Sequence, residues 1–219
     1  MFIINNREAI TFMTVTGFKD QDFDVFSVPG LEARMEVLIE RVRPKLETLG
    51  AELAPYVSAL AGEEMFMHVA KHARRTVNPP IDTWVAWAAS KRGYKALPHF
   101  EVGMFGTHLF VIFAIIYESP NKTVFAGNLE AKLKKTAKAL PKHFYWSMDH
   151  MNPAGTPHQD MSEEDFVRLI EKLKQVKKAE VMCGLRIPRE EAVKLEGDEL
   201  VQKVQETFET LLPLYKMAF

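Results

Sequence analysis

Leu109-Phe110-Val111-Ile112-Phe113-Ala114-Ile115-Ile116-Tyr117 is the longest apolar run in the chain, and it is apolar on both of its alternating sides. A strand with one wet face would alternate, so this run predicts a central strand covered on both sides, with helices packed on the sheet. Its length falls far short of the roughly 20 residues a membrane-spanning helix needs. Upstream, Met65 to Ala73, Thr83 to Ala89 and Pro98 to Met104 are short runs rich in aromatic and aliphatic residues. Asn78-Pro79-Pro80, Lys91-Arg92-Gly93 and Gly103 to Gly106 separate them and the central run, which predicts a four-stranded antiparallel meander. Glu180 to Ile187, stopped by Pro188, adds a fifth strand, and Phe144 to Met148 is a candidate for a further short one.

The flanking segments change period. Leu31, Met35, Leu38, Val42, Leu46 and Leu49 recur every three or four positions and predict an amphipathic helix. Pro44 should kink it, because proline removes the hydrogen bond to residue 40. Gly50 is expected to end this helix, with a second short one carrying Leu53 to Leu60 and stopping at Gly62. Further helices follow Pro120, Ser162 and about Asp198, and Ser162-Glu163-Glu164-Asp165 resembles a capping box. Met151 to Asp160, with two prolines and a glycine, reads as a mobile loop. The expected fold is α+β: a mainly antiparallel sheet of about five strands with helices packed on it, in a single domain over 13–219, with 1–12 as an N-terminal extension.

Composition narrows the class. Of 219 residues, 47% are hydrophobic and 15 are Phe, enough for a sizeable core without disulfides, which excludes intrinsic disorder and the cysteine-stapled secreted class. One cysteine, Cys183, cannot pair internally and reads as a buried thiol, so a reducing, cytoplasmic setting is expected, with no membrane association. The net charge of −1 hides segregation: 65–99 and 122–142 each carry six basic residues against a single acid, leaving −11 for the remainder. Such asymmetry suggests a surface for an anionic partner. Arginine's planar fork suits phosphate and carboxylate, so Arg74 and Arg75, with His68, His72, Lys91 and Arg92, form the expected ligand-binding set for a phosphorylated metabolite or a nucleic acid.

The histidines carry the rival reading. On a strand, His68 and His72 stand about 13 Å apart on one sheet face, too far to share an ion, so no metal or other cofactor is expected. His99 with Glu101, and His108, could join that face if the register allows. A histidine from positions 68, 72, 99 or 108 would then be the general base of a small-molecule hydrolase or transferase, oriented by Glu101 or Asp82. A third reading is a scaffold whose basic surface meets an acidic protein. No P-loop, Gly-x-Ser-x-Gly or Gly-x-Gly-x-x-Gly is present, and nothing in the chain sets an oligomeric state.

Gly62-Glu63-Glu64-Met65-Phe66, His68 through Pro80, Asp82-Thr83-Trp84, Lys91-Arg92-Gly93-Tyr94 and Pro98-His99-Phe100 resemble the YktB-like family of uncharacterised bacterial proteins. Pro29-Gly30-Leu31-Glu32, Arg43-Pro44-Lys45-Leu46, Gly106-Thr107-His108, Asp149-His150 and Leu211 to Tyr215 extend the resemblance over nearly everything from Met13 onward. It implies a cytoplasmic single-domain α+β fold and supplies no catalytic residues.

Overall fold

The structure, a computed structural model, describes residues 14–219; the expected extension over 1–12 lies outside the described residues. Seven strands form one antiparallel sheet: β1 (Phe66–Val69), β2 (Asp82–Ala88), β3 (His99–Phe105), β4 (His108–Ile115), β5 (Tyr145–Ser147), β6 (Thr156–Pro157) and β7 (Val181–Pro188), in the order β1-β2-β3-β4-β7-β5-β6. The run that reads as central is central: β4 lies fourth of seven and all eight of its residues are buried. The sheet exceeds the expected five strands because the candidate over Phe144 to Met148 does form a strand, β5, and because β6, two residues long, is too short for a periodicity to register. β6 and the 3-10 turn His158–Asp160 also occupy half of the segment expected to be a mobile loop. His158 fixes that half: its Nδ1 accepts from Trp146 Nε1 at 3.1 Å, and its Nε2 donates to the Ala137 carbonyl at 2.8 Å.

Helices cover one face of this sheet. Helix α1 (Asp20–Phe23) and a 3-10 turn lead into α2 (Leu31–Val37), a π-turn over Leu38–Val42, and α3 (Arg43–Ala61). Pro44 sits in the first turn of α3, directly after the π-turn, where its missing N–H is tolerated. Gly50 does not end the helix. It is buried within α3, where a Cβ would come within 2.9 Å of Met67 Sδ and Val85 Cγ2, and its carbonyl accepts from Trp87 Nε1 at 3.1 Å. Glycine here is a close-approach residue between helix and sheet, and the helix ends at left-handed Gly62.

The chain closes with α4 (Lys122–Ala139), α5 (Glu163–Gln175), the short α6 (Arg189–Ala192) and α7 (Gly197–Lys216). The Ser162 box is real: Ser162 Oγ accepts from Asp165 N at 3.1 Å and Asp165 Oδ2 from Ser162 N at 2.9 Å. Helix α3 packs on β1 and β2, α7 on β3, β4 and β7, and α4 on α5. Between them and the sheet lie Trp87, Phe100, Phe113, Phe125, Phe208 and Tyr215, each 2% exposed or less. Cys183 is fully buried in the same layer, and burial pushes its thiol up. No helix among the described residues is long and apolar enough to cross a membrane.

Candidate functional site

Among the described residues, no helix packs on the second sheet face. Paired residues in an antiparallel ladder share a face, so the register His68↔Ala86↔Glu101↔Ile112↔Gly184↔Tyr145 draws one row across it, and Trp84↔Gly103↔Phe110↔Arg186 draws the next. The segments 90–98, 116–118 and 148–155 border the face instead, and the loop 70–81 meets it through His72 against Trp84. They leave a cleft of about 700 Å³, counting its open mouth, with Asp82, Trp84, Tyr94, Glu101, Arg186 and His150 around it. The expected cover on both sides of β4 therefore exists, but on this side it is loops around a cavity.

The loops are held by specific bonds. Trp84 Nε1 donates to Tyr94 Oη at 2.9 Å, and His72 meets Trp84 edge to face at 5.5 Å. Gly155 lies so close to the opposite wall that a Cβ would fall within 2.8 Å of both Tyr145 and Arg186. The Arg186 guanidinium stacks on the Tyr145 ring at 3.9 Å.

His68, His99 and His108 stand on the cleft-side face, as the meander reading allowed, but they do not converge. His68 Nε2 donates to the Ser90 carbonyl at 2.7 Å. His72 is not on a strand, because β1 stops at Val69; it is the one described non-glycine residue with positive φ, +53°, and its Nε2 meets Thr83 Oγ1 at 3.3 Å. Burial, then the charges of Arg75 and Arg43, lower His72 to about 4. His108 stacks on Phe105, its Nδ1 meets Thr107 Oγ1 at 2.8 Å, its Nε2 has no partner, and burial with Arg186 lowers it to about 4.

His99 does meet Glu101. Its Nδ1 donates to the Leu97 carbonyl at 2.7 Å and its Nε2 lies 3.1 Å from Glu101 Oε1, so imidazole and carboxylate are hydrogen-bonded. Since His99 is fully buried and both its nitrogens are engaged, the roles expected from the sequence reverse: His99 orients, and Glu101 faces the cleft.

The basic set is divided. Arg74 and Arg75 follow the C-terminal end of β1, while Lys91 lies over the Phe66 ring at the other end, with Arg92 beside it. Ion pairs with Glu63, Glu64 or Asp82 would have explained Arg74 and Arg75 structurally, and none forms within 4.0 Å among the described residues. Instead Arg75 bonds the Asn78 carbonyl, and Arg34 and Arg43 brace the same loop through the carbonyls of Pro80 and Lys71.

Three groups escaped the sequence reading. His150 Nδ1 lies 2.8 Å from Glu180 Oε1, which also accepts from the His150 N–H at 2.9 Å. The bond to Glu180 raises His150 above its ordinary value against the effect of burial, and the charges of Glu101 and Asp82 add to the rise. Burial pushes the Glu180 carboxyl up, and the bonds from His150 outweigh it, leaving it below the usual carboxylate range. Asp149, His150 and Glu180 offer ligand atoms within 4.8 Å of one another, close enough for a cation to be considered. The 2.8 Å contact, however, is a hydrogen-bonded pair, with His150 Nε2 left for the cleft. Arg186 is the third group. The only signal for this set is the pairing Ser147↔Met182, which carries Asp149 and His150 to Glu180 across 30 residues.

Residues 18–215 match the family described as Domain of unknown function (DUF1054). A UPF0637 protein of Bacillus velezensis is 51% identical over 94% of this chain and 98% of its own length. UPF0637 proteins of Bacillus cytotoxicus and Bacillus licheniformis are 47% and 46% identical over 94% of this chain and 99% and 97% of theirs. This agrees with the YktB-like resemblance: the chain belongs to the DUF1054 family of UPF0637 proteins, a family of unknown function.

Proposed function

We propose that the protein takes a small polar metabolite into the cleft on the helix-free face and moves a proton on it, with His150 as the general acid or base and Glu180 as the residue that orients it. The observation that carries this reading is the His150–Glu180 pair beside a cavity holding unpartnered buried polar atoms, Asp82 Oδ1 and Arg186 Nε. A buried polar group without a partner is costly, and a ligand can supply the partner. Glu180 fixes the proton on Nδ1, which leaves Nε2 to exchange one with a bound molecule. This keeps the hydrolase or transferase chemistry expected from the sequence but assigns it to a different histidine.

A second reading, an anion site at Arg74 and Arg75, is favoured by one observation. Arg34, Arg43 and Arg75 gather at the loop 70–81 with hydrogen bonds only to carbonyls, so their charge is left for a phosphate or carboxylate.

Ligand-observed NMR of a metabolite mixture separates the two. With wild-type protein, signals of a binder broaden. The cleft reading expects that broadening to vanish in Glu101→Gln and persist in the Arg74→Glu, Arg75→Glu double variant, and any consumption of a metabolite to stop in His150→Asn. Broadening abolished by the arginine reversals, weakened by salt and indifferent to Glu101→Gln would replace the cleft with the anion site.

A further inference from the structure

We infer that the molecule received by this cleft carries a cationic group, an amine or amidine of a small metabolite, held by Asp82 beside Trp84, with Glu101 farther along the same face. The inference rests on the cleft reading above and names its ligand class. Asp82 is 3% exposed and Glu101 9%, and both line the cavity. Asp82 Oδ1 has no hydrogen-bond partner, and an ionised carboxylate can only accept, so its missing partner is a donor. No described cation bonds Asp82, and Glu101 meets only the buried His99. Of the other basic groups lining the cleft, Lys95 lies 4.0 Å from Glu118, His150 pairs with Glu180, and Arg186 stacks on Tyr145 with its Nε unpartnered.

That last contact is informative in itself. One aromatic wall of the cleft already carries a guanidinium on its face, and the other, where Trp84 is tied to Tyr94, lies beside the Asp82 carboxylate and carries none. A cation there would gain the Asp82 carboxylate in a site sheltered from water.

Affinity should depend on pH through Asp82. The groups that act on it are Arg75 from the loop 70–81, Glu101 from β3 and His150 from the loop 148–155, with Tyr94 also coupled to it. Burial dominates and pushes its carboxyl up to about 6. A cation binds the ionised form, so binding strengthens as pH rises through that value and weakens below it.

The chain has three tryptophans, and only Trp84 lines this cleft, so its indole N–H resonance reports occupancy while Trp87 and Trp146 report the fold. The probes are benzylamine, benzyl alcohol and benzoate, added to nitrogen-15-labelled protein near neutral pH. Benzylamine should shift the Trp84 resonance saturably, and about tenfold more tightly than the other two. Asp82→Asn should weaken it by about as much and Glu101→Gln by less, with Trp87 and Trp146 unmoved. Benzyl alcohol or benzoate moving Trp84 as well as benzylamine does would overturn the cation while keeping the cleft as a ligand site. Silence from all three probes would overturn both. If neither variant folds, the pH arm decides with wild-type protein: benzylamine remains charged between pH 5 and 7, so an affinity that does not fall on acidification contradicts the assignment.

Discussion

The two faces of the sheet are built from the same strands and serve opposite ends. On the helix side, alternate residues such as Val85, Trp87, Phe100, Val102 and Phe113 are fully buried, and the two indole N–H groups there, those of Trp87 and Trp146, have their acceptors in the Gly50 carbonyl and His158 Nδ1. On the loop side, the neighbouring positions are Trp84, Glu101, Gly103 and Arg186, and unpartnered polar atoms gather there, Asp82 Oδ1, Arg186 Nε and His108 Nε2 among them. A sheet face lined by buried apolar side chains, with its indole N–H groups satisfied, stabilises the fold. A face that leaves several unsatisfied has given up stability, as sites that bind do.

The sharpest way to break this comparison is to truncate one tryptophan on each face. Trp87→Ala should cost about 3–5 kcal/mol in urea unfolding. Trp84→Ala opens a wall that is already partly solvated and should cost about 1–2 kcal/mol. Equal losses would remove the distinction between the faces.

Next in size is the pH dependence of stability. Asp82, raised to about 6 in the fold, binds its proton more tightly there than in the unfolded chain. Its contribution is therefore present below about pH 4 and lost as pH rises through 6. Asp82→Asn removes that loss, so its stability relative to wild type should grow by up to about 3 kcal/mol between pH 4 and 7. His108, lowered to about 4, works in the opposite direction. Its contribution is present above 6.5 and is lost as pH falls toward 4, and His108→Gln should flatten that acid limb by a similar amount. Chemical denaturation at several pH values checks both.

A smaller effect sharpens the helix side. Gly50→Ala places a methyl against Met67 and Val85, and should lose about 1–3 kcal/mol although alanine is the better helix former. A stabilised variant would show that Gly50 is not a close-approach position.

The same contrast explains what the sequence could convey. The apolar run 109–117 placed β4, because burial on both sides leaves a pattern that depends on no partner. Gly50 misled, because a glycine that ends a helix and one that lets a strand approach look alike until the strand is present. The strand expected over Met65 to Ala73 stops at Val69, and nothing local marks the left-handed turn at His72. On the cleft face, Glu101 and His99 were legible as neighbours, two apart on one strand. His150 and Glu180 were not, since they meet only through the pairing of the three-residue β5 with β7. A contact made through the pairing of so short a strand leaves no period to read.

The most direct test of the account is a titration of the histidine Cε1–H resonances between pH 3 and 9, in wild type and Glu180→Gln. The account predicts that His150 titrates above the ordinary histidine value near 6.5 and returns toward it when Glu180 becomes Gln. His72 and His108 should stay neutral down to about 4 in both proteins. A His150 that titrates at or below 6.5 in wild type, unmoved by Glu180→Gln, would contradict the claim that the helix-free face holds an oriented proton carrier.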